Sequence, residues 1–188
     1  MKLCVIDFET ANQHSASACS IGLMVVENGE VLHEAVYLIR PHVKVAYFSE
    51  KNISIHGIRY DDVEYEKEFD AIYPELRPWF EDSVLMAHNA AFDMGVLSSL
   101  FKLYQIETKP LKYIDSLEIA RKVYPFLRNH KLNTVCEHLD IELNHHEALS
   151  DAKGSCLIAL NTMAMMDDFD LESFIDRLNL RINWRSVE

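Results

Sequence analysis

Leu3-Cys4-Val5-Ile6-Asp7-Phe8-Glu9-Thr10 runs an apolar stretch straight into two carboxylates. Such a run reads as a buried strand, and the acids stand where it should stop. Side chains alternate along a strand, so Leu3, Val5, Asp7 and Glu9 share one face while Cys4, Ile6 and Phe8 share the other. An unpaired buried carboxylate costs several kcal/mol or gives up its charge to a proton. A divalent cation gripped by Asp7 and Glu9 is the simplest reason to keep both.

The elements further along follow from periodicity and turn chemistry. Residues 20–26 and 31–40 are apolar and β-rich, and Glu27-Asn28-Gly29-Glu30 between them carries the Asn-Gly hairpin signal. With residues 3–9 they make an antiparallel three-strand meander. Residues 41–62 read as a mixed, loop-like stretch that contains Ile55-His56-Gly57-Ile58. A helix is expected over 69–80, and a short buried strand over 84–87 ends at His88-Asn89. Asn89 is expected to cap a helix running to about residue 105, on which Leu97, Leu100, Phe101 and Tyr104 recur at helical spacing. Asp93 lies on that apolar stripe, a carboxylate facing inward. Residues 113–115 read as another short strand, 116–124 and 131–139 as helices, and 147–166 as a long apolar helix. Strands first, then strands alternating with helices, predict an α/β fold with a central mixed five-stranded sheet flanked by helices. One domain is expected over 1–166. Residues 167–188 form a short C-terminal extension, expected to be helical near 171–180 and packed on the domain.

Composition sets the outer bounds. The chain has 188 residues, 49% of them hydrophobic, enough for one sizeable core. No apolar stretch reaches the roughly 20 residues of a membrane helix, and the N-terminus reads as a strand rather than a secretion signal. The expectation is a cytoplasmic protein with no membrane contact. Cys4, Cys19, Cys136 and Cys156 are scattered among apolar neighbours without CxxC spacing, which predicts buried free thiols. A formal charge of −12 argues against a protein that coats nucleic acid. It leaves room for an enzyme that grips a strand end, because acids that recruit divalent cations present positive charge to phosphate once loaded.

A third anomaly opens the last long helix, His146-Glu147-Ala148-Leu149-Ser150-Asp151. Asp7, Glu9, Asp93 and Asp151 thus stand at element ends or on apolar faces, with His146 beside the last of them. The ordered set Asp7-Phe8-Glu9-Thr10, His88-Asn89-Ala90-Ala91-Phe92-Asp93 and His146 followed by Asp151 resembles the DEDD superfamily of 3'-to-5' exonucleases, in its histidine-containing branch. That branch includes the proofreading subunit of bacterial DNA polymerase III, whose relatives also carry a segment like Ile55-His56-Gly57-Ile58. The resemblance covers roughly residues 1 to 165 and implies a ribonuclease-H-like fold.

The resemblance also implies roles. Asp7 would bridge two ions, Glu9 and Asp151 would complete the first site, Asp93 would support the second, and His146 would take the proton from the attacking water. His145 competes with His146, and the five-residue step to Asp151 selects His146, leaving His145 at the surface or behind the site. Hard carboxylates without a Cys/His set suit Mg²⁺ or Mn²⁺, and two such ions serve phosphodiester hydrolysis. A histidine is apt because its pKa lies near working pH. Phe8, Thr10, His56, Ile58, Asn89 and Phe92 match positions that surround the terminal nucleotide in the family. Arg121-Lys122 and Arg128-Asn129-His130-Lys131 form the local basic concentration, placed to touch the strand upstream.

Two features depart from the polymerase subunit. Ala11-Asn12 stands where that family often has Thr-Gly, and residues 167–188 carry no clamp-binding motif and are expected to be too short for a tethering tail. The expected substrate is the 3' end of single-stranded DNA, released as nucleoside 5'-monophosphates in proofreading, repair or turnover, with a polymerase or repair protein as a possible partner. The alternatives are an exoribonuclease of the same superfamily and a non-catalytic polymerase-associated module.

Overall fold

The computed structural model describes residues 1–185; the end of the expected C-terminal extension, residues 186–188, lies outside the described residues. Strands β1 (Lys2–Thr10), β2 (Ala18–Glu27) and β3 (Glu30–Leu38) form the antiparallel meander. Asn28 and Gly29 turn the β2–β3 hairpin with φ of 52° and 84°, the paired left-handed conformation that a two-residue turn requires and glycine tolerates best. Helices α1 (Glu50–His56), α2 (Tyr60–Val63) and α3 (Phe69–Glu81) lead to strand β4 (Ser83–Ala87). Helix α4 (Ala91–Tyr104) leads to strand β5 (Leu111–Asp115). Helices α5 (Ser116–Val123), α6 (Leu132–His138), α7 (Ala148–Met165) and α8 (Leu171–Arg177) precede a last short strand, β6 (Asn183–Arg185).

Among the described residues the sheet has six strands in the order β3-β2-β1-β4-β5-β6, one more than expected. The addition is β6, which pairs antiparallel with β5 through Asn183, Trp184 and Arg185 at the sheet edge. So short and exposed a strand has no buried face to write into the sequence. β1, β4 and β5 run parallel, so their carboxyl ends open at one edge of the sheet.

β1 divides its side chains as alternation requires. Cys4, Ile6 and Phe8 pack with Phe69, Leu76 and Phe80 of α3 and Leu97 and Phe101 of α4. Leu3 and Val5 pack on the other face with Val135 of α6, Ile158 and Ala159 of α7, and Phe174 of α8. All four cysteines are free and buried, as expected. Two local expectations are corrected. Residues 41–62 contain a 3-10 turn (Val43–Val45), α1 and α2 rather than loop alone; α1 buries none of its residues and so leaves no apolar stripe to read. Asn89 does not cap α4 with its side chain. It sits at φ 68°, and its carbonyl accepts the Phe92 amide at 3.1 Å.

Candidate active site

The carboxyl ends of β1, β4 and β5 and the first turns of α4 and α7 meet in one cleft of about 530 Å³. Alternation puts Asp7 and Glu9 on the side of β1 that faces α7, with Phe8 between them turned into the opposite core and 2% exposed. Asp93 arrives on the first turn of α4, and its Oδ1 accepts the backbone N–H of Phe8 at 3.0 Å. Asp151 arrives on the first turn of α7, where it is 3% exposed. Carboxylate oxygens of Asp7, Glu9 and Asp151 lie within 4.8 Å of one another. Asp93 stands next to this trio, tied to the β1 backbone rather than within the same grouping.

The electrostatics of this cluster are those of acids lacking a counter-charge. Burial, and then the charges of Asp93, Asp151 and Glu9, hold the Asp7 carboxyl well above its ordinary range. Burial and the charges of Asp151 and Asp93 push Glu9 up to about 8. Burial pushes Asp93 to about 7, even though the Phe8 amide pulls the other way. Among the described residues no lysine or arginine pairs with any of these four acids. Hard oxygen donors, close together and short of positive charge, fit a divalent cation such as Mg²⁺ or Mn²⁺.

Both histidines before α7 face the cleft, in different ways. His145 Nδ1 lies 2.9 Å from Asp151 Oδ2, a contact that the five-residue spacing of His146 to Asp151 did not suggest. His146 meets Asp151 through its backbone, donating its N–H to Oδ2 at 3.0 Å from a left-handed φ of 72°. The two rings stack with centroids 3.8 Å apart. Burial first, and then His145, lower the His146 pKa against the pull of Asp151. The adjacent pair in the sequence was the available signal for His145; nothing in its spacing told which ring would take the carboxylate.

The expected nucleotide-binding residues divide into two groups. Phe92, 48% exposed, stands between the acidic cleft and a neighbouring one of about 490 Å³, and lines both. Asn89 lines the acidic cleft, its backbone N–H held at 2.9 Å by Asp115, which also caps α5. Thr10 and His56 line the second cleft, while Ile55 rather than Ile58 joins them. The Thr10 carbonyl accepts from Asn52 Nδ2 at 2.7 Å and from His56 Nε2 at 3.1 Å. The Ile58 amide donates to His56 Nδ1 at 3.0 Å, so Ile58 serves through its backbone and the ring carries its proton on Nε2. Asn52 and Asp115 were not singled out in the sequence; each works through hydrogen bonds between distant segments, which leave no local pattern.

The basic concentration also divides. Arg121 and Lys131 line the acidic cleft. Lys122 turns to Glu118 at 3.0 Å and Arg128 to Glu137 at 3.8 Å. His88 fastens the loop before Lys131 to the end of β4, donating from Nε2 to the His130 carbonyl at 2.8 Å while Nδ1 lies 2.9 Å from Ser116 Oγ.

Buried hard carboxylates beside a histidine suit metal-assisted phosphodiester cleavage, and a family comparison places the chain among nucleases. The family model described as "Exonuclease" (RNase_T) matches residues 4–159. PolC-type DNA polymerase III of Oceanobacillus iheyensis is 36% identical over 154 residues, covering 80% of this chain and 11% of that protein. The PolC-type polymerase of Bacillus subtilis is 32% identical over 163 residues, covering 85% of this chain and 11% of its own. The chain therefore spans about a tenth of the length of these relatives. Among solved structures, the nuclease domain of 3'hExo, a DEDDh family member bound to rAMP, superposes with a TM-score of 0.76 at 21% identity, covering 97% of this chain and 96% of that one. Exonuclease X in complex with 5' overhanging duplex DNA gives 0.72 at 20%, covering 94% and 99%. The chain belongs to the exonuclease family. The match takes in Asp7, Glu9, Asp93, His146 and Asp151, and the fold is similar to that of the nuclease domain of 3'hExo.

Proposed function

We propose that this protein removes nucleoside 5'-monophosphates from the 3' end of single-stranded DNA, using two Mg²⁺ or Mn²⁺ ions. The observation that carries the reading is the convergence of Asp7, Glu9 and Asp151 from two elements, with no lysine or arginine partner among the described residues. Asp7, Glu9, Asp93 and Asp151 would hold the ions. When bound, these would activate water and neutralise charge developing on the phosphate and the leaving oxygen. Phe92 and the Thr10 segment, fixed from behind by Asn52 and His56, flank the place for the terminal nucleotide. Asn89 and Phe8 border the acids, and Arg121 and Lys131 offer positive charge to phosphates upstream.

His146 is the general base. Its lowered pKa keeps the imidazole neutral near pH 7, as a proton acceptor must be. A water oxygen bonds to phosphorus and its proton passes to His146. The bond from phosphorus to the 3'-oxygen of the preceding nucleotide breaks, and that oxygen takes a proton from solvent.

The polymerase named in the relatives supports a partner in DNA synthesis or repair and a cytoplasmic setting; residues 1–166 would be the catalytic unit and 167–188 its extension. End-labelled single-stranded DNA and RNA of one sequence, digested with Mg²⁺ or Mn²⁺, test the reading. Stepwise loss from the DNA 3' end is expected; complete preference for RNA would replace DNA by RNA as the substrate. A chain inactive on both that still binds a polymerase would be a non-catalytic module.

A further inference from the structure

Gly22 stands directly opposite Asp7 in the β1–β2 ladder, and paired residues of antiparallel strands direct their side chains to the same face. On that face β2 offers Ser20, Gly22, Met24 and Val26 to Glu9, Asp7, Val5 and Leu3. Met24 and Val26 fill the core beside Leu3 and Val5. At Gly22 the side chain disappears, and the backbone of the first turn of α7 occupies the space. A Cβ at position 22 would lie 2.3 Å from the carbonyl carbon and oxygen of Ala148 and from the amide nitrogen of Leu149. All three are backbone atoms, so no rotamer change relieves the overlap. The φ of Gly22 lies outside the left-handed region, which means that space and not conformation requires the glycine. The helix answers with small buried residues of its own, Ala148, Ala152, Ser155 and Ala159.

We infer that Gly22 is a positioning residue for the acid cluster: its missing side chain sets how closely the α7 turn bearing Asp151 approaches the strand bearing Asp7 and Glu9. The inference rests on the metal-dependent reading of the site. Gly154, also on α7, supplies the contrast, because a Cβ there would meet Leu143 Cδ1 at 2.8 Å and Cys136 Sγ at 3.1 Å, side-chain atoms on the helix's other contacts.

Mn²⁺ binding by titration calorimetry, with the melting temperature of each metal-free protein, decides the matter for the wild type, Gly22→Ala and Gly154→Ala. Displacement of a ligand's support lowers metal affinity by about tenfold or more. That loss is expected in folded Gly22→Ala, whereas Gly154→Ala is expected to change the melting temperature and leave Mn²⁺ affinity at the wild-type value. A folded Gly22→Ala protein with wild-type affinity overturns the inference, as does an equal loss of affinity in Gly154→Ala. Should Gly22→Ala fail to fold, Ala148→Val adds bulk at the buried residue whose carbonyl meets Gly22, and wild-type Mn²⁺ affinity in it counts equally against the role. A wild-type protein that binds no Mn²⁺ sinks the metal reading itself and is recognised separately from these outcomes.

Discussion

The two clefts that share Phe92 and Glu9 are built on opposite principles. In the acidic cleft Asp7, Glu9 and Asp151 crowd together with Asp93 buried beside them, and burial and mutual repulsion hold Asp7, Glu9 and Asp93 at raised pKa values. In the neighbouring cleft, Glu9 aside, polar groups satisfy one another: Asn52 and His56 serve Thr10, and Asn12 gives its Nδ2 hydrogens to the carbonyls of Val45 and Tyr47. The first stores electrostatic cost that a bound proton or an added cation relieves; the second is a scaffold of paired groups. A functional centre is thus marked by what its residues lack, and a supporting wall by what its residues already have.

The sharpest break of this contrast is Asp7→Ala. Removing one acid from the crowded set is expected to lower turnover by about 10³-fold or more, as loss of a central catalytic group does. The metal-free melting temperature should rise at the same time, since repulsion with Asp93, Asp151 and Glu9 is relieved. Near-wild-type turnover would show that the chemistry lies elsewhere. A pH series extends the point to the whole cluster. Glu9, raised from 4.5 to about 8, and Asp93, raised from 3.8 to about 7, are held in their protonated forms by the fold. Their contribution to stability is present below the ordinary carboxylate values and is lost as pH climbs through about 7 and 8. Metal-free protein should therefore melt at progressively lower temperature from pH 5 to pH 8, and added Mn²⁺ should stabilise it most at the upper end. A metal-free melting temperature that is flat across this range would contradict the raised values.

The contrast also explains what could be read without coordinates. The acidic cleft was legible because its residues violate local expectation: an acid in an apolar strand, an acid on an apolar helix stripe, and a histidine and acid opening an apolar helix. The meander, the alternation of β1 and the order of the later helices came from period and turn chemistry in the same way. The second cleft wrote no such anomaly. Helix α1 is seven residues long with no buried face, and Asn52 reads as an ordinary polar residue until Thr10, distant in sequence, folds against it. His145 and His146 are chemically identical in sequence, and the folded turn, left-handed at His146, brings the His145 ring and the His146 amide to Asp151. Strand β6 escaped because three residues at a sheet edge carry no period.

Within the second cleft, Asn52→Ala should act on support rather than on chemistry. It removes the bonds to the Thr10 carbonyl at 2.7 Å and to the Thr10 hydroxyl at 3.2 Å, while His56 keeps its hold on the same carbonyl. A stability loss of about 1–2 kcal/mol in urea denaturation is expected, together with a higher KM for the oligonucleotide. Mn²⁺ affinity should stay at the wild-type value, because no acid loses a partner. A loss of Mn²⁺ affinity as large as that of an acid-cluster variant would erase the distinction between the two clefts.

The smallest effect probes the rim of the acidic cleft, where Arg121 and Lys131 are the positive groups that face it. If each neutralises one phosphate of a bound single strand, the slope of log KM against log salt should fall by about 0.7 for Arg121→Ala and again for Lys131→Ala. Lys122 is the internal control: it is bonded to Glu118 at 3.0 Å and to the Leu178 carbonyl at 2.9 Å, so its charge is already engaged away from the cleft. Lys122→Ala should leave the salt slope at its wild-type value. Equal slopes for all three variants would place the incoming strand off this rim. A reduced slope for Arg121→Ala and Lys131→Ala alone would trace the strand from the acids toward α5 and the loop that His88 fastens. The small size of the change follows from the chain's own charge: in a protein of net −12, two cations at the rim guide a strand end to the site and cannot hold a long footprint.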